Sequence, residues 1–200
     1  MTTAPPSHHL GFPMQHVGLH LFSFGGKSFL ICVGHWSDYP LYQALHSLSS
    51  EAITSVLTSW FNTLGWPFSI RSDGALNFVV ISLNFAPNTT FKHELSSPYN
   101  PKSNGLAEAA VKSVKNILRN ASGTDPDTML FEWRNVPRSD GYSPAQLLFG
   151  RQQRTCLPIP PSQVQPHKFS AAASSKDITH DCSKYNHDQS KHFLPMLSSG

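Results

Sequence analysis

The sequence predicts an α/β fold with a mixed five-stranded sheet flanked by helices. Three observations carry this expectation. Val17, Leu19 and Leu21 alternate with His16, Gly18 and His20, and the continuous apolar run Phe29–Gly34 follows. A one-faced helical pattern then occupies 53–64. After it, strand-forming and helix-forming stretches interleave, so the order reads β-β-β-α-β-α-β-α-α.

Each element has a local reason. The period-2 alternation over Gln15–Phe22 is that of a half-buried strand. "SFGGKS" supplies a Gly-Gly turn, and "FLICVG" has the unbroken apolarity of a central strand. "YPLYQAL" is a third, shorter strand. Ser49 or Ser50 caps the helix, with Glu51 in its first turn. Its core face is Ile53, Val56, Leu57, Trp60, Phe61 and Leu64, and Gly65 and Pro67 stop it. "FSIRSD" (Phe68–Asp73) is a fourth strand that ends in an acid. Residues 75–87 suit a short helix, although "FVVISL" would serve as a strand by propensity. "FKHELS" is the fifth strand, and "SPYNPKSNG" is an extended turn with Pro98 and Pro101. Helices follow at about 103–120 and 127–135, and Ser143–Gly150 begins another with Pro near its start.

Residues 1–14, rich in Pro and His, read as a linker. A single domain spans 15–160, and 161–200 is a mostly flexible tail with a short helix near 177–192. Two hundred residues with 39% hydrophobic content can bury a real core. The net charge of +3 and pI near 8.8 are compatible with a polyanionic partner without establishing one. Three widely spaced cysteines argue against a disulfide framework and for a reducing compartment. No apolar run approaches the roughly 20 residues that span a bilayer, so no membrane partner is expected.

The helix at 103–120 holds the first candidate chemistry. At about 100° per residue, Asn104, Lys112, Lys115 and Arg119 fall within roughly 40° of Glu108. Leu106, Ala107, Ala110, Val111, Val114, Ile117 and Leu118 occupy the opposite arc. By itself this is an ordinary exposed face, with Glu108 and Lys112 as an i, i+4 pair. It also suits a phosphodiester site, with one carboxylate and a row of cations along a nucleic-acid strand. Asp73 shifts the balance. It ends a strand, where α/β sheets place ligands, although Asp-Gly is also a common turn.

"RSDGALNF", "HELSSPYNPKSNGLAEAAVKSVKNILRN" and "EWRNVPRSDGYSPAQLLFGR" occur in this order. With "LFSFGGKSFLICVGHWSDYP" and "SWFNTLGWPFSIRSDG" upstream, they resemble the integrase catalytic core of gypsy-type LTR retrotransposons and retroviruses. The resemblance covers about 15–160. It implies a ribonuclease-H-like fold, DNA strand transfer and phosphodiester chemistry, DNA as partner, self-association and a nuclear site of action. It also implies two Mg²⁺ (or Mn²⁺) ions held by Asp, Asp and Glu. Asp73 matches the second acid and Glu108 the third, which makes both candidate catalytic and metal-ligating residues. Asn104, Lys112, Lys115 and Arg119 are the candidate nucleic-acid contacts.

The first acid belongs on the first strand, where this chain has His20. Neutral imidazole is a poor Mg²⁺ ligand, and the change removes a negative charge from a site meant for two dications. Mutational decay or retuning to another metal would each account for it, decay being favoured, so catalysis is expected to be impaired. The alternative function is a domesticated or decaying non-catalytic module that binds nucleic acid or acts as a scaffold. Gly34 is a second departure, standing where relatives carry a further acid. The loop after Asp73 is a third, leaving 34 residues between the acids rather than 35. Asp38 is a conceivable substitute acid, but its place after the second strand favours a turn. His180, Cys182, His187 and His192 lack regular metal-ligand spacing. Trp36, Trp60, Trp66 and Trp133 are read as packing residues.

Overall fold

In the computed structural model, the described residues are 13–73, 91–95, 105–121, 123, 125–138, 141–155 and 158–166. Strands β1 (His16–Phe24) and β2 (Lys27–Gly34) form an antiparallel hairpin in which Phe24 pairs with Lys27. The two residues between them, Gly25 and Gly26, have φ of +56° and +73°. Only glycine adopts this left-handed pair without strain, and its twist matches that of the flanking strands. β3 (Pro40–Leu45) adds antiparallel to β2 and begins on a proline, which an edge strand tolerates.

α1 (Ser50–Leu64) is capped by Ser49, whose Oγ accepts from the Ala52 amide, and it ends at Gly65 with φ +98°. The chain returns as β4 (Ser69–Ser72), parallel to β1, and β5 (Lys92–Leu95) adds parallel to β4. The fourth strand is therefore shorter than the predicted Phe68–Asp73. Phe68 is exposed before it, and Asp73 lies just past its end. The sheet order is β3-β2-β1-β4-β5, a mixed five-stranded sheet with β1 at its centre.

α2 (Gly105–Asn120), α3 (Pro126–Asn135) and α4 (Pro144–Phe149) complete the helices. Asp125 caps α3 through the Thr128 amide. Ser143 and Gln146 make a reciprocal capping box on α4, which stops at left-handed Gly150. A short 3-10 turn follows at Pro161–Val164.

Strand alternation divides the core into two layers. On one face Val17, Leu19, Leu30, Cys32 and Ile70 pack with Ile53, Leu57 and Phe61 of α1. On the other, Phe22, Phe29, Ile31 and Val33 pack with Ala110, Val111, Val114 and Ile117 of α2, and with Leu130 of α3. Trp60 and Trp66 pack against the first cluster and Trp133 against the second, as expected of packing residues. The guanidinium of Arg134 donates from Nε and Nη2 to the Pro40 carbonyl at 2.9 and 2.6 Å, which ties α3 to edge strand β3.

Residues 1–12 of the expected linker, the ambiguous 75–87 stretch, the 96–104 turn and the tail from 167 lie outside the described residues. The expected helix at 177–192 and the His180, Cys182, His187 and His192 group fall in that tail. Among the described residues, no helix is long and apolar enough to cross a membrane.

Leu57 is fully buried between α1 and the sheet. Leu57→Ala is expected to cost about 2–5 kcal/mol, read as a lower urea midpoint at an unchanged denaturant slope.

Candidate functional site

The central pairing of β1 with β4 sets the site. Leu19 pairs with Ser72, so these two share the α1 face of the sheet. The next residue on each strand turns to the α2 face, which brings His20 and Asp73 side by side. The antiparallel partner of His20 is Ile31, a member of the α2-side core, which agrees with that orientation.

His20 Nδ1 lies 2.8 Å from Asp73 Oδ2, with the side chains 23% and 37% exposed. This is charge-pairing distance without an aligned hydrogen bond. Nδ1 of His20 and Oδ1 of Asp73 are both buried atoms with no hydrogen-bond partner among the described residues. The two groups therefore lie beside each other rather than end to end.

Glu108 sits in the first turn of α2, partly buried. Two contacts establish how α2 runs over β1. Lys115 Nζ lies 5.5 Å from the Phe22 ring centroid, and Arg119 Cζ lies 6.0 Å from that of Phe24. Four helix residues advance about 6 Å and two strand residues about 6.6 Å, so helix and strand keep step in one direction. Carried back over the seven residues from Lys115, roughly 10.5 Å or about three strand residues, that register sets the Glu108 backbone level with Leu19, and Glu108 does not join His20 and Asp73 in a group close enough to hold an ion.

The other predicted residues divide. Lys112 is exposed, Lys115 and Arg119 lean back over aromatic rings, and Asn104 is outside the described residues. Arg119 Nη1 also donates to Asn116 Oδ1 at 3.1 Å. Asp38 is committed elsewhere. It adopts φ +48° in the β2–β3 connection and pairs with Nη1 of Arg138, whose Nη2 donates to the Ser37 carbonyl. At Gly34, a Cβ would meet Met14 Sδ at 3.1 Å and Ser37 Oγ at 3.3 Å. An acid there would require Met14 to move.

Two Mg²⁺ ions need hard anionic oxygens to neutralise and bridge them. Here an imidazole stands beside one carboxylate. Among the described residues, no three His, Cys, Asp or Glu side chains converge closely enough to hold an ion. This donor set does not fit a pair of Mg²⁺ ions.

Sequence reasoning missed a polar group behind the site. His16 Nδ1 lies 2.6 Å from Ser69 Oγ. Glu94 accepts from Arg71 at 2.9 Å and pairs with Lys92 at 3.0 Å, joining β4 to β5. Burial works against ionisation of Glu94, but the hydrogen bonds from Arg71 and Lys92 outweigh it and hold the carboxyl below its usual range. His35, whose amide donates to the His16 carbonyl at 2.8 Å, is pushed down to about 4. Burial is the main cause, Arg71 and His16 add repulsion, and Glu94 opposes them. Nothing in the sequence marks these groups as neighbours, because cross-strand partners depend on register.

His35 makes stability pH-dependent. An unfolded imidazole gains its proton near 6.5 and the folded one near 4, so the unfolded state binds more protons between those values. Stability is expected to fall by up to roughly 3 kcal/mol as pH drops through that window. His35→Gln should flatten this part of a stability-against-pH curve measured by urea unfolding.

No family model matches the chain. It is 27% identical over 143 residues to the uncharacterized protein K02A2.6 of Caenorhabditis elegans. That match takes in 67% of this chain but spans only 11% of the longer protein. Among solved structures it is similar to the catalytic core domain of BIV integrase, with a TM-score of 0.56 and 17% identity, covering 68% of this chain and 93% of that one. The mixed sheet with β1 at its centre, flanked by α1 and α2, is thus the fold of a retroviral integrase catalytic core.

Proposed function

We propose that this chain is a retroelement integrase-type domain that binds DNA but is impaired in strand transfer and phosphodiester cleavage. The observation that carries the reading is the His20–Asp73 contact, where Asp73 leaves the end of β4 beside the middle of β1. A carboxylate at position 20 would place a second acid beside Asp73, with Glu108 as the third acid of the motif order. Imidazole supplies no charge for bridging two dications, and its nitrogen already lies against the Asp73 carboxylate. In this reading Asp73 and Glu108 are the surviving catalytic and metal-ligating positions. Mg²⁺ or Mn²⁺ chemistry returns only when an acid is restored at 20. The domain acts within the cell, in the nucleus.

A nicking and strand-transfer assay with Mg²⁺ or Mn²⁺ tests this directly. The unmodified chain should show background activity that Glu108→Gln does not change, and His20→Asp should raise it. Robust activity in the unmodified chain, abolished by Glu108→Gln, would overturn the claim of impairment.

DNA binding rests on Asn104 and on the row of Lys112, Lys115 and Arg119 along α2. Cations on phosphates release counterions, so affinity should fall linearly on a logarithmic salt scale. Replacing the three cations by Ala should weaken binding across sequences and lower that slope by roughly 0.9 for each phosphate no longer neutralised. Asp73→Asn should leave the slope unchanged. An unaltered slope in the triple variant would remove α2 from the interface.

A further inference from the structure

We infer that Lys27, at the tip of the β1–β2 hairpin, is a further contact for the DNA backbone and continues the cation row of α2 onto the sheet. This rests on the DNA-binding reading above and adds a strand residue to a row otherwise carried by one helix.

Register places the residue. Lys27 is the cross-strand partner of Phe24, so the two side chains share a face, with Cβ atoms about 5 Å apart. Arg119 Cζ lies 6.0 Å from the Phe24 ring centroid, and Lys115 lies over the ring of Phe22. The row on α2 thus ends over the ring beside which Lys27 emerges. Lys27 and Arg119 are both exposed.

Charge decides what the hairpin tip can hold. Among the described residues, the Lys27 ammonium pairs with no carboxylate. The acids around the start of α3 are engaged. Asp125 accepts from the amide and hydroxyl of Thr128, and Asp127 accepts from the Tyr42 hydroxyl at 2.6 Å. The carbonyl end of α2 disfavours an anion, but Arg119 in its last turn offsets that partial charge. Lys27 is then the surplus cation. From Lys112 to Arg119 the row runs about 10.5 Å. Each strand of duplex DNA carries one charge per roughly 3.4 Å of axis. A strand along the row therefore meets about three phosphates and presents the next one at the hairpin.

The turn supplies a probe that leaves Lys27 itself intact. A Cβ at Gly25 would meet nothing within 4 Å, and Asp or Asn before Gly suits a left-handed two-residue turn. Gly25→Asp sets a negative charge beside Lys27 without disturbing the hairpin, and Gly25→Asn is its neutral counterpart.

The test measures binding of the full chain to a duplex of arbitrary sequence by fluorescence anisotropy over a series of salt concentrations. Lys27→Ala should lower the logarithmic salt slope by roughly 0.9 and weaken binding roughly fivefold near physiological salt. Lys27→Arg should retain both. The same further drop should appear when Lys27→Ala is added to the triple variant of α2. Gly25→Asp should weaken binding, and Gly25→Asn should not. An unchanged slope in Lys27→Ala, with the triple variant lowered, would overturn the hairpin contact alone, as would equal binding by Gly25→Asp and Gly25→Asn. Absence of salt-dependent binding by the unmodified chain would overturn the DNA reading itself, and this contact with it.

Discussion

The parallel pairing of β1 with β4 is the constraint on which the rest depends. Val17 meets Ile70 and Leu19 meets Ser72, four residues deep, with α1 and α2 covering opposite faces of the sheet. Side chains alternate faces, so a slip of one residue in β1 would exchange its two sets. Val17, Leu19 and Leu21 would turn to α2, and His20 would enter the apolar layer under α1. The hydrophobic contacts that hold this register also bring residue 20 against residue 73. Core packing and site geometry are thus one arrangement.

That arrangement brings two side chains close whatever their charge. Two carboxylates at such a distance repel strongly in a half-buried setting and need a cation to stay together. An imidazole beside a carboxylate lacks this repulsion. Replacement of the expected acid by His20 therefore leaves the backbone arrangement without electrostatic conflict. What the fold gains in tolerance, a site for two dications loses in negative charge.

Much of the fold was legible because its signals are local. Alternation marked β1, the Gly25-Gly26 pair marked its turn, Ser49 and Ser143 marked helix starts, and Gly65 and Gly150 marked helix ends. The apolar arc of α2 emerged as its buried face, with Ala107, Ala110, Val111, Val114 and Ile117 all buried. The candidate site was legible only in part. Parity and the motif order pointed to residues 20, 73 and 108, but nothing local revealed that His20 touches Asp73. The Arg71–Glu94–Lys92 group, the close approach of Met14 to Gly34 and the pairing of Asp38 with Arg138 all join distant segments. They follow from register and loop geometry, which pattern reading does not supply.

The row of cations on α2 shows the same dependence on β1. His20, Phe22 and Phe24 share one face, and Lys115 and Arg119 rest on the two rings at the step of the strand. Each such contact is worth only about 0.5–1 kcal/mol at an exposed site, so the rings orient the cations without holding them firmly. The stems of Lys115 and Arg119 cover the core edge while their heads remain available to an anion. In the proposed reading, DNA contact draws on this row and phosphodiester chemistry on the acids at its start. Loss of an acid at position 20 removes charge from the start of the row but leaves Phe22, Phe24 and the register of α2 in place. On that reading a DNA-binding row on α2 does not depend on an acid at position 20, because the packing that maintains the row does not pass through residue 20.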